Sequence, residues 1–550
     1  MKGFGEQHNS KNKKNKNTKP PKEKIIHKAF KAHSEGNISE AAKYYKEFIN
    51  QGFKDYRVFS NYGEILRQHG KYKESVEFYK KAIKLKPDFT QAYLQLGDIL
   101  KGLGQLKESE ISYRKAIKIN PNFANAHSKL GNILKEFGKP QEAEISYRKA
   151  IEINPDFALA HYNLGNVLKE FGKLQEAETS YSRAIEINPN LANAHCNLGN
   201  ILKEYGKLQE AEISYRKAIE INPDFALAFS NLGNVLQENG KLKEAEISIL
   251  KAIQLKPNFA VFHYNLGQIL NDIGKAKEAE SSLLKAIEIK PDFADAAWNL
   301  YGLSKSIKEA EERLNQCLMI DTDYLKAKLS LSAIKLHQGD HTLFNQLIES
   351  NYKDHSFIRS IKWSSSLQKK PKIFFNKWAL LKSMINQSKK DRPFYEFGVW
   401  RGASFKYLIK TFKKGYGFDS FEGLPEDWHE TKKGSYSADG LIPKIEGGTF
   451  IAGKFEDTLP SFFTDPRPIA SIIHFDADLY SSTLCALNYS KPVIDKDTIL
   501  IFDEFIINQN WEQDEFKALN EFCSNNNLTY EILAISYFTK QVAVKLLGIN

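Results

Sequence analysis

Proline recurs at Pro87, Pro121, Pro155, Pro189, Pro223, Pro257 and Pro291, each 34 residues after the last. Glycine keeps the same interval twice over. One series runs Gly63, Gly97, Gly131, Gly165, Gly199, Gly233 and Gly267; the other runs from Gly36 through Gly70, Gly104, Gly138, Gly172, Gly206 and Gly240 to Gly274. Three series with one period describe a stack of small units, none able to bury a core alone. Within a unit, apolar residues follow three-and-four spacing through stretches such as NLGNVL, which predicts helix. The second glycine ends the first helix of a pair, where a left-handed backbone is cheap only for glycine. Proline then stops the second helix and turns the chain into the next unit.

The pattern of Leu-Gly, Tyr, Ala, an aromatic, Ala and Pro resembles the tetratricopeptide-repeat (TPR) family. It is strong at 56–293 and degenerate at 22–55, where Gly36 and Ala41 remain. It decays through Trp298, Leu300 and Glu309–Ala310 to about residue 350. The expectation is an all-α superhelical solenoid over 25–350, with about eight repeats across 22–293, a degenerate repeat and a cap. Asn163, Asn197, Asn231 and Asn265 sit two residues before a repeat glycine, and Asn299 holds the matching place. A primary amide has a donor and an acceptor side by side, so stacked amides can hold an extended peptide. This array is similar to that of the protein O-linked N-acetylglucosamine transferases, where the resemblance implies a peptide-binding asparagine ladder on the concave face. The competing reading is a tolerated polar residue copied by duplication.

Bulk properties limit the remaining classes. A chain of 550 residues, 42% hydrophobic and 26% charged, is long enough for three or four soluble domains. No uninterrupted apolar run has spanning length, and the N-terminus shows no signal-type apolar segment, so neither membrane span nor export is expected. The net charge of +11 is concentrated: residues 1–24 carry eight Lys against Glu6 and Glu23, leaving +5 for the rest. That tail is expected to be disordered, and nucleic acid is not an expected partner. Cys196, Cys317, Cys485 and Cys523 are widely spaced, which suggests neither a disulfide framework nor zinc and points to a cytoplasmic setting.

After a linker with an apolar helix around Phe374–Met384 (351–389), the period gives way to alternation of short β-type runs with helices over 390–550. The runs are 394–399, 416–421, 449–455, 471–479, 498–505, 529–535 and 541–547. Alternation implies a parallel sheet covered on both faces. The last two runs lie too close for a parallel crossover and must form an antiparallel hairpin. A parallel sheet closed by one reversed strand resembles the Rossmann-like class I methyltransferases. The ligand crevice belongs at the carboxyl ends of the strands. There the first strand runs into Glu396-Phe-Gly398 and a turn ending at Gly402, and the second ends at Asp419, placed to accept ribose hydroxyls.

The run GFDSFEGLPE (417–426) is similar to the macrocin O-methyltransferase family. This resemblance implies S-adenosylmethionine bound by Glu396, Gly398, Gly402 and Asp419, with Ser420 and Phe421 beside the adenosine and Lys454 and Phe455 at the adenine. Two further strands deliver HFDADLYSST (474–483) and FDEF (502–505). Carboxylates directly after buried strands are costly unless a cation or substrate uses them. Asp476, Asp503 and Glu504 form an oxygen set suited to Mg²⁺, which would lower the pKa of an acceptor hydroxyl. Asp476 is the expected main ligand and a candidate proton acceptor, with Asp478 the alternative base. The family carries two aspartates where this chain has Asp503–Glu504. Asp478 is also placed to cap the helix that follows. Tyr480 and His474 are pocket candidates, His474 being expected to face the sheet interior or a neighbouring helix. The polar stretch 427–448 reads as a substrate lid.

The expectation is therefore an S-adenosylmethionine- and Mg²⁺-dependent O-methyltransferase acting on a sugar, glycan or small-molecule hydroxyl. Its repeats would bind protein or peptide, and a further reading has them present an extended protein segment for modification. The alternative is an interaction scaffold carrying a non-catalytic methyltransferase-like domain.

Overall fold

A computed structural model of the chain describes residues 21–429, 431, 433–438 and 440–549. The chain divides into two compact units, Met1–Tyr205 and Gly206–Asn550. Most of the basic tail lies outside the described residues. Pro21–Lys24, which the sequence reading includes in that tail, instead open the first helix, Pro21–Ser34.

In the first unit, helix hairpins follow one another from Pro21–Ser34 with Ile38–Asn50 to Leu174–Ile187, and Ala192–Glu204 ends the unit. The hairpin-turn glycines Gly36, Gly70, Gly104, Gly138 and Gly172 have φ between +68° and +76°, a region open to glycine at little cost. The other glycine series works through packing. A Cβ on Gly97, Gly131 or Gly165 would lie 2.5, 2.6 or 2.7 Å from the ring of Tyr113, Tyr147 or Tyr181. Each of those rings is buried in the partner helix. Replacing Gly131 by Val is expected to overpack this contact and cost about 2 kcal/mol, read as a lowered thermal midpoint.

The same tyrosines tie consecutive repeats together. Tyr147 and Tyr181 donate to Asn132 Oδ1 and Asn166 Oδ1 at 2.7 and 2.9 Å. Asn163 and Asn197, from the following repeats, donate to those same oxygens at 3.1 and 2.8 Å. Two members of the expected ladder thus donate amide hydrogen bonds within the array.

The second unit continues the repeats through Leu208–Ile221, Ala226–Glu238, Leu242–Leu255, Ala260–Ile273 and Ala276–Ile289, then through shorter or less regular helices to Leu325–Gln338. Ile249 and Leu283 take the tyrosine's place against Gly233 and Gly267. Asn265 is buried and donates to Ser230 Oγ at 3.1 Å, which corrects the expectation that it faces an open groove. Asn299 donates to the Asp295 carbonyl at 2.9 Å, and Asn231 is not free either.

An eight-stranded sheet follows: β1 (Lys372–Phe374), β2 (Phe394–Phe397), β3 (Gly415–Asp419), β4 (Gly448–Ala452), β5 (Ile472–Phe475), β6 (Ile499–Phe502), β7 (Thr529–Ser536) and β8 (Val542–Leu547). Their order is β1-β7-β8-β6-β5-β2-β3-β4. Only β8 runs against its neighbours, pairing antiparallel with both β6 and β7. The expected closing hairpin is therefore present. β1 departs from expectation: the helix begins at Lys377, and the short segment before it pairs parallel with the edge of β7. Three residues carry no readable period. Apolar clusters cover both faces, one around Tyr395, Phe397, Ile473 and Phe475, the other around Phe394, Ile472, Ile499 and Ile501.

Register makes the site. Phe397 pairs with Phe418 and Phe475, and Phe475 pairs with Phe502. Their rings stack across four strands with centroids 4.8–5.4 Å apart. The next residue along each strand is Asp419, Gly398, Asp476 or Asp503, so all four stand in one row at the carboxyl edge.

Candidate active site

A cavity of ≈ 310 Å³ opens above that row. Gly398, Asp419, Ser420, Lys454 and Phe455 line one flank, while Asp476, Asp478, Asp503, Glu504 and Lys377 line the other. Trp400, Trp428 and Tyr436 contribute aromatic surface.

On the first flank, Gly398 has φ +88°, and a Cβ there would overlap the Asp476 carbonyl. Glycine is required where β2 and β5 converge. Asp419 organises the turn after β2. Its Oδ2 accepts the N–H groups of Val399 and Trp400 at 2.8 and 2.7 Å, and its Oδ1 accepts that of Phe421 at 2.6 Å. Ser420 Oγ donates to the Gly423 carbonyl at 3.1 Å. Lys454 is the N-cap of the helix Phe455–Phe462.

Three residues assigned to the cofactor by resemblance do not line the cavity. Glu396 is fully buried beneath it, accepting from Ser404 Oγ and His474 Nδ1. Gly402 turns the chain into the helix Ala403–Phe412 with φ +74° and faces Ile445. The Phe421 ring packs into the core, and its carbonyl accepts from Ala438 and Gly440. All three support the cavity wall from behind.

The acidic flank is an alternation of charges. His474 is buried between Glu396, 2.9 Å from Nδ1, and Asp503, 3.4 Å from Nε2. Burial alone would lower its pKa, but the hydrogen bonds and charges of Asp503 and Glu396 raise it to about 10. Asp476 is raised to about 7 by burial and by Asp503, with Lys377 and His474 opposing. Burial also works to raise Asp503, yet Lys377, His474 and Gln541 outweigh it and hold that carboxyl below the ordinary range. Lys377 Nζ lies 4.0 Å from Asp503 Oδ2.

Asp478, with φ +58°, makes no capping bond to the helix Tyr480–Ser490. Burial and the charges of Asp476, Glu504 and Asp503 push it well up. Tyr480 donates to Glu521 and does not line the cavity.

The expected metal ligands are Asp476, Asp503 and Glu504, and the structure groups the first two with His474. Among the described residues, the donors lying within 4.8 Å of one another are His474, Asp476 and Asp503. Glu504 instead accepts from Lys540 at 2.8 Å and Asn508 at 2.7 Å. A doubly protonated imidazole has no lone pair to offer, so His474 suits a charge bridge better than a ligand position. The oxygen donors remaining on the cavity fit a hard cation. With Glu396, the acids Asp476, Asp478, Asp503 and Glu504 outnumber the neighbouring cations Lys377, Lys540 and His474, an excess that a divalent ion would balance. Lys377 and Gln541 escaped the sequence reading. Lys377 lies in a stretch without strand alternation, and Gln541 acts only through the reversed strand.

The stretch read as a lid folds back on itself. Leu424 N–H donates to the Ser435 carbonyl and Gly434 N–H to that of Leu424, each at 2.9 Å. His429 Nε2 stands 2.8 Å from Asp514 Oδ2.

Comparison with known proteins agrees with the two-part architecture. Tetratricopeptide-repeat models match residues 63–104, 97–138, 131–172, 156–224, 214–247 and 260–293. The chain is 29% identical over 141 residues to the 8-demethyl-8-(2,3-dimethoxy-alpha-L-rhamnosyl)-tetracenomycin-C 4'-O-methyltransferase of Streptomyces olivaceus. That match covers 20% of this chain and 52% of the relative, so the chain spans about half the relative's length. Among solved structures, YrrB, described as a TPR protein with an unusual peptide-binding site, is 26% identical with a TM-score of 0.29, covering 32% of this chain and 92% of YrrB. MamA is 28% identical with a TM-score of 0.28, covering 30% of this chain and 95% of MamA. No helix among the described residues is long and apolar enough to cross a membrane. The N-terminal half of this chain is thus a tetratricopeptide-repeat array, followed by a mostly parallel α/β domain with weak similarity to an O-methyltransferase.

Proposed function

We propose that the sheet domain is an S-adenosylmethionine-dependent O-methyltransferase acting on a hydroxyl of a sugar, glycan or small molecule. The observation that carries this reading is the row Asp419, Gly398, Asp476 and Asp503, which brings a nucleoside-type carboxylate and an acid cluster to one cavity. When bound, the cofactor supplies an electrophilic methyl group, and a divalent cation at Asp476 and Asp503 lowers the pKa of the acceptor hydroxyl. Gly398 lets β2 and β5 converge at the cavity floor, and Asp419 holds the turn that would border the cofactor. Asp478, free of any cap, accepts the hydroxyl proton. Trp400 and Tyr436 offer aromatic surface to the substrate.

The repeats of the first unit take the protein- or peptide-binding part of this reading. Asn163 commits one of its two amide N–H donors within the array, and Asn197 donates to Asn166 and Tyr181. Isothermal titration of the full chain with S-adenosylmethionine, followed by labelled methyl transfer to glycans with Mg²⁺ or EDTA, tests the enzyme assignment. Saturable cofactor binding and EDTA-sensitive transfer are expected. Absence of cofactor binding would overturn the assignment, and transfer indifferent to EDTA would remove the cation from it.

A further inference from the structure

Lys377 enters the acid-lined cavity from the start of the helix Lys377–Gln387, outside the strand tips that supply the rest of the site. The residues on either side of it are pinned by one repeat residue. Asn376 Nδ2 donates to Asn271 Oδ1 at 2.7 Å, and Trp378 Nε1 donates to the Asn271 carbonyl at 2.8 Å. Asn376 in turn caps the Lys377 helix through Trp378 N–H at 2.8 Å. The next repeat residue, Asp272, joins Asp503, Asp476 and Glu396 among the charges that act on the Lys377 ammonium. Gln237, from the preceding repeat, donates to Asp272 at 2.7 Å.

The adjoining repeat touches the other side of the cavity mouth. Gly240 abuts Arg401 and Trp400, and a Cβ there would lie 2.7 and 2.9 Å from their side chains. Trp400 itself lines the cavity. Gly240 and Gly274 hold the same place in successive repeats. Gly274 lies against the Trp378 ring, where a Cβ would meet ordinary van der Waals contact at 3.7 Å. Equivalent turns of two neighbouring repeats therefore brace the two walls.

We propose that the repeats at 226–289 form part of the active-site scaffold, with Asn271 as the positioning residue that, through Asn376 and Trp378, holds Lys377 against Asp503 in the cavity. The repeats would then not be a detachable recruiting arm: displacing the helix Ala260–Ile273 displaces Lys377. Any role of Lys377 in methyl transfer rests on the function proposed above, whereas its positioning by the repeat does not.

The test is trace acetylation of the full chain with acetic anhydride, read by mass spectrometry. Lys382, exposed on the same helix, is the internal reference. Lys377 is expected to react about tenfold more slowly than Lys382 in the unaltered protein. Asn271→Ala should raise the Lys377 rate about fivefold and leave Lys382 unchanged. Trp378→Phe keeps the ring but deletes one tether, so it gives a smaller rise in the same direction and serves if the first variant folds poorly. In transfer assays, Asn271→Ala should lower kcat about tenfold with cofactor KM unchanged, and adding Lys377→Met should cause no further loss. Equal reactivity of Lys377 and Lys382 in the unaltered chain, or rates unmoved in both variants, would overturn the proposal. A chain that binds no cofactor would still give the acetylation result and would retire only the transfer reading.

Discussion

Replacing Asp476 by Asn is expected to lower methyl transfer roughly 10³-fold or more while the folded protein becomes no less stable. The two halves of this result come from one cause. Asp476 stands beside Asp503, its carboxyl raised to about 7 by burial and that neighbour. Such clustering of like charge is costly to the fold and useful for binding a cation. The sign follows from linkage. A carboxyl whose folded pKa lies above its unfolded value destabilises the fold once pH exceeds the unfolded pKa, and the cost is complete above the folded pKa. In EDTA, thermal melts should place Asp476→Asn above the unaltered protein at pH 8 and level with it near pH 4. S-adenosylmethionine binding should be kept, because Gly398 meets the Asp476 backbone rather than its side chain. A variant that retains transfer would remove Asp476 from the chemistry. One that melts lower at pH 8 would show that the carboxylate is structural.

Glu396 is expected to behave in the opposite way. It is fully buried and held by Ser404 and His474. Truncation to Ala leaves the His474 charge without one of its two counter-charges. Breaking a buried pair in this way typically costs about 3–5 kcal/mol, which for a domain of this size lowers the midpoint by roughly 10 °C. Cofactor affinity of the fraction that stays folded should change little, since Glu396 does not reach the cavity. Glu396→Leu combined with His474→Leu should recover much of the loss, because apolar replacement of both partners removes the stranded charge. Differential scanning calorimetry with parallel cofactor titration separates the roles. A large drop in affinity at unchanged midpoint would return Glu396 to the direct contacts that family resemblance implies.

These variants divide the acids of the site by depth. Asp476 and Asp503 follow the ends of β5 and β6 and face the cavity, while Glu396 and His474 lie two residues back along β2 and β5. Side chains two apart on a strand share a face, so His474 sits beneath Asp476, with Glu396 beside it on β2 and beneath Gly398. The charge alternation from Glu396 through His474 to Asp503 is a product of this stacking. Its effect is to keep Asp503 ionised at the edge of an apolar core.

Much of this was legible in the order of residues. A 34-residue period in proline and two glycine series specifies helix hairpins, since each marked position meets a local demand: a left-handed turn, a close helix approach, a helix stop. The strand tips were readable because buried β runs end abruptly in Asp419, Asp476 and Asp503, and the short gap before Gln541 forces a reversed strand. These signals are short-range and need no knowledge of distant neighbours. Long-range pairing settled the rest. Phenylalanine register aligned the strand tips, Lys540 claimed Glu504, Glu396 and His474 met across β2 and β5, and the repeat asparagines turned to one another. Lys377 reached the cavity because a helix over a hundred residues earlier in the chain holds the residues beside it. Electrostatic partnership depends on through-space distance, and linear order carries no measure of that distance until the sheet and the repeats have packed.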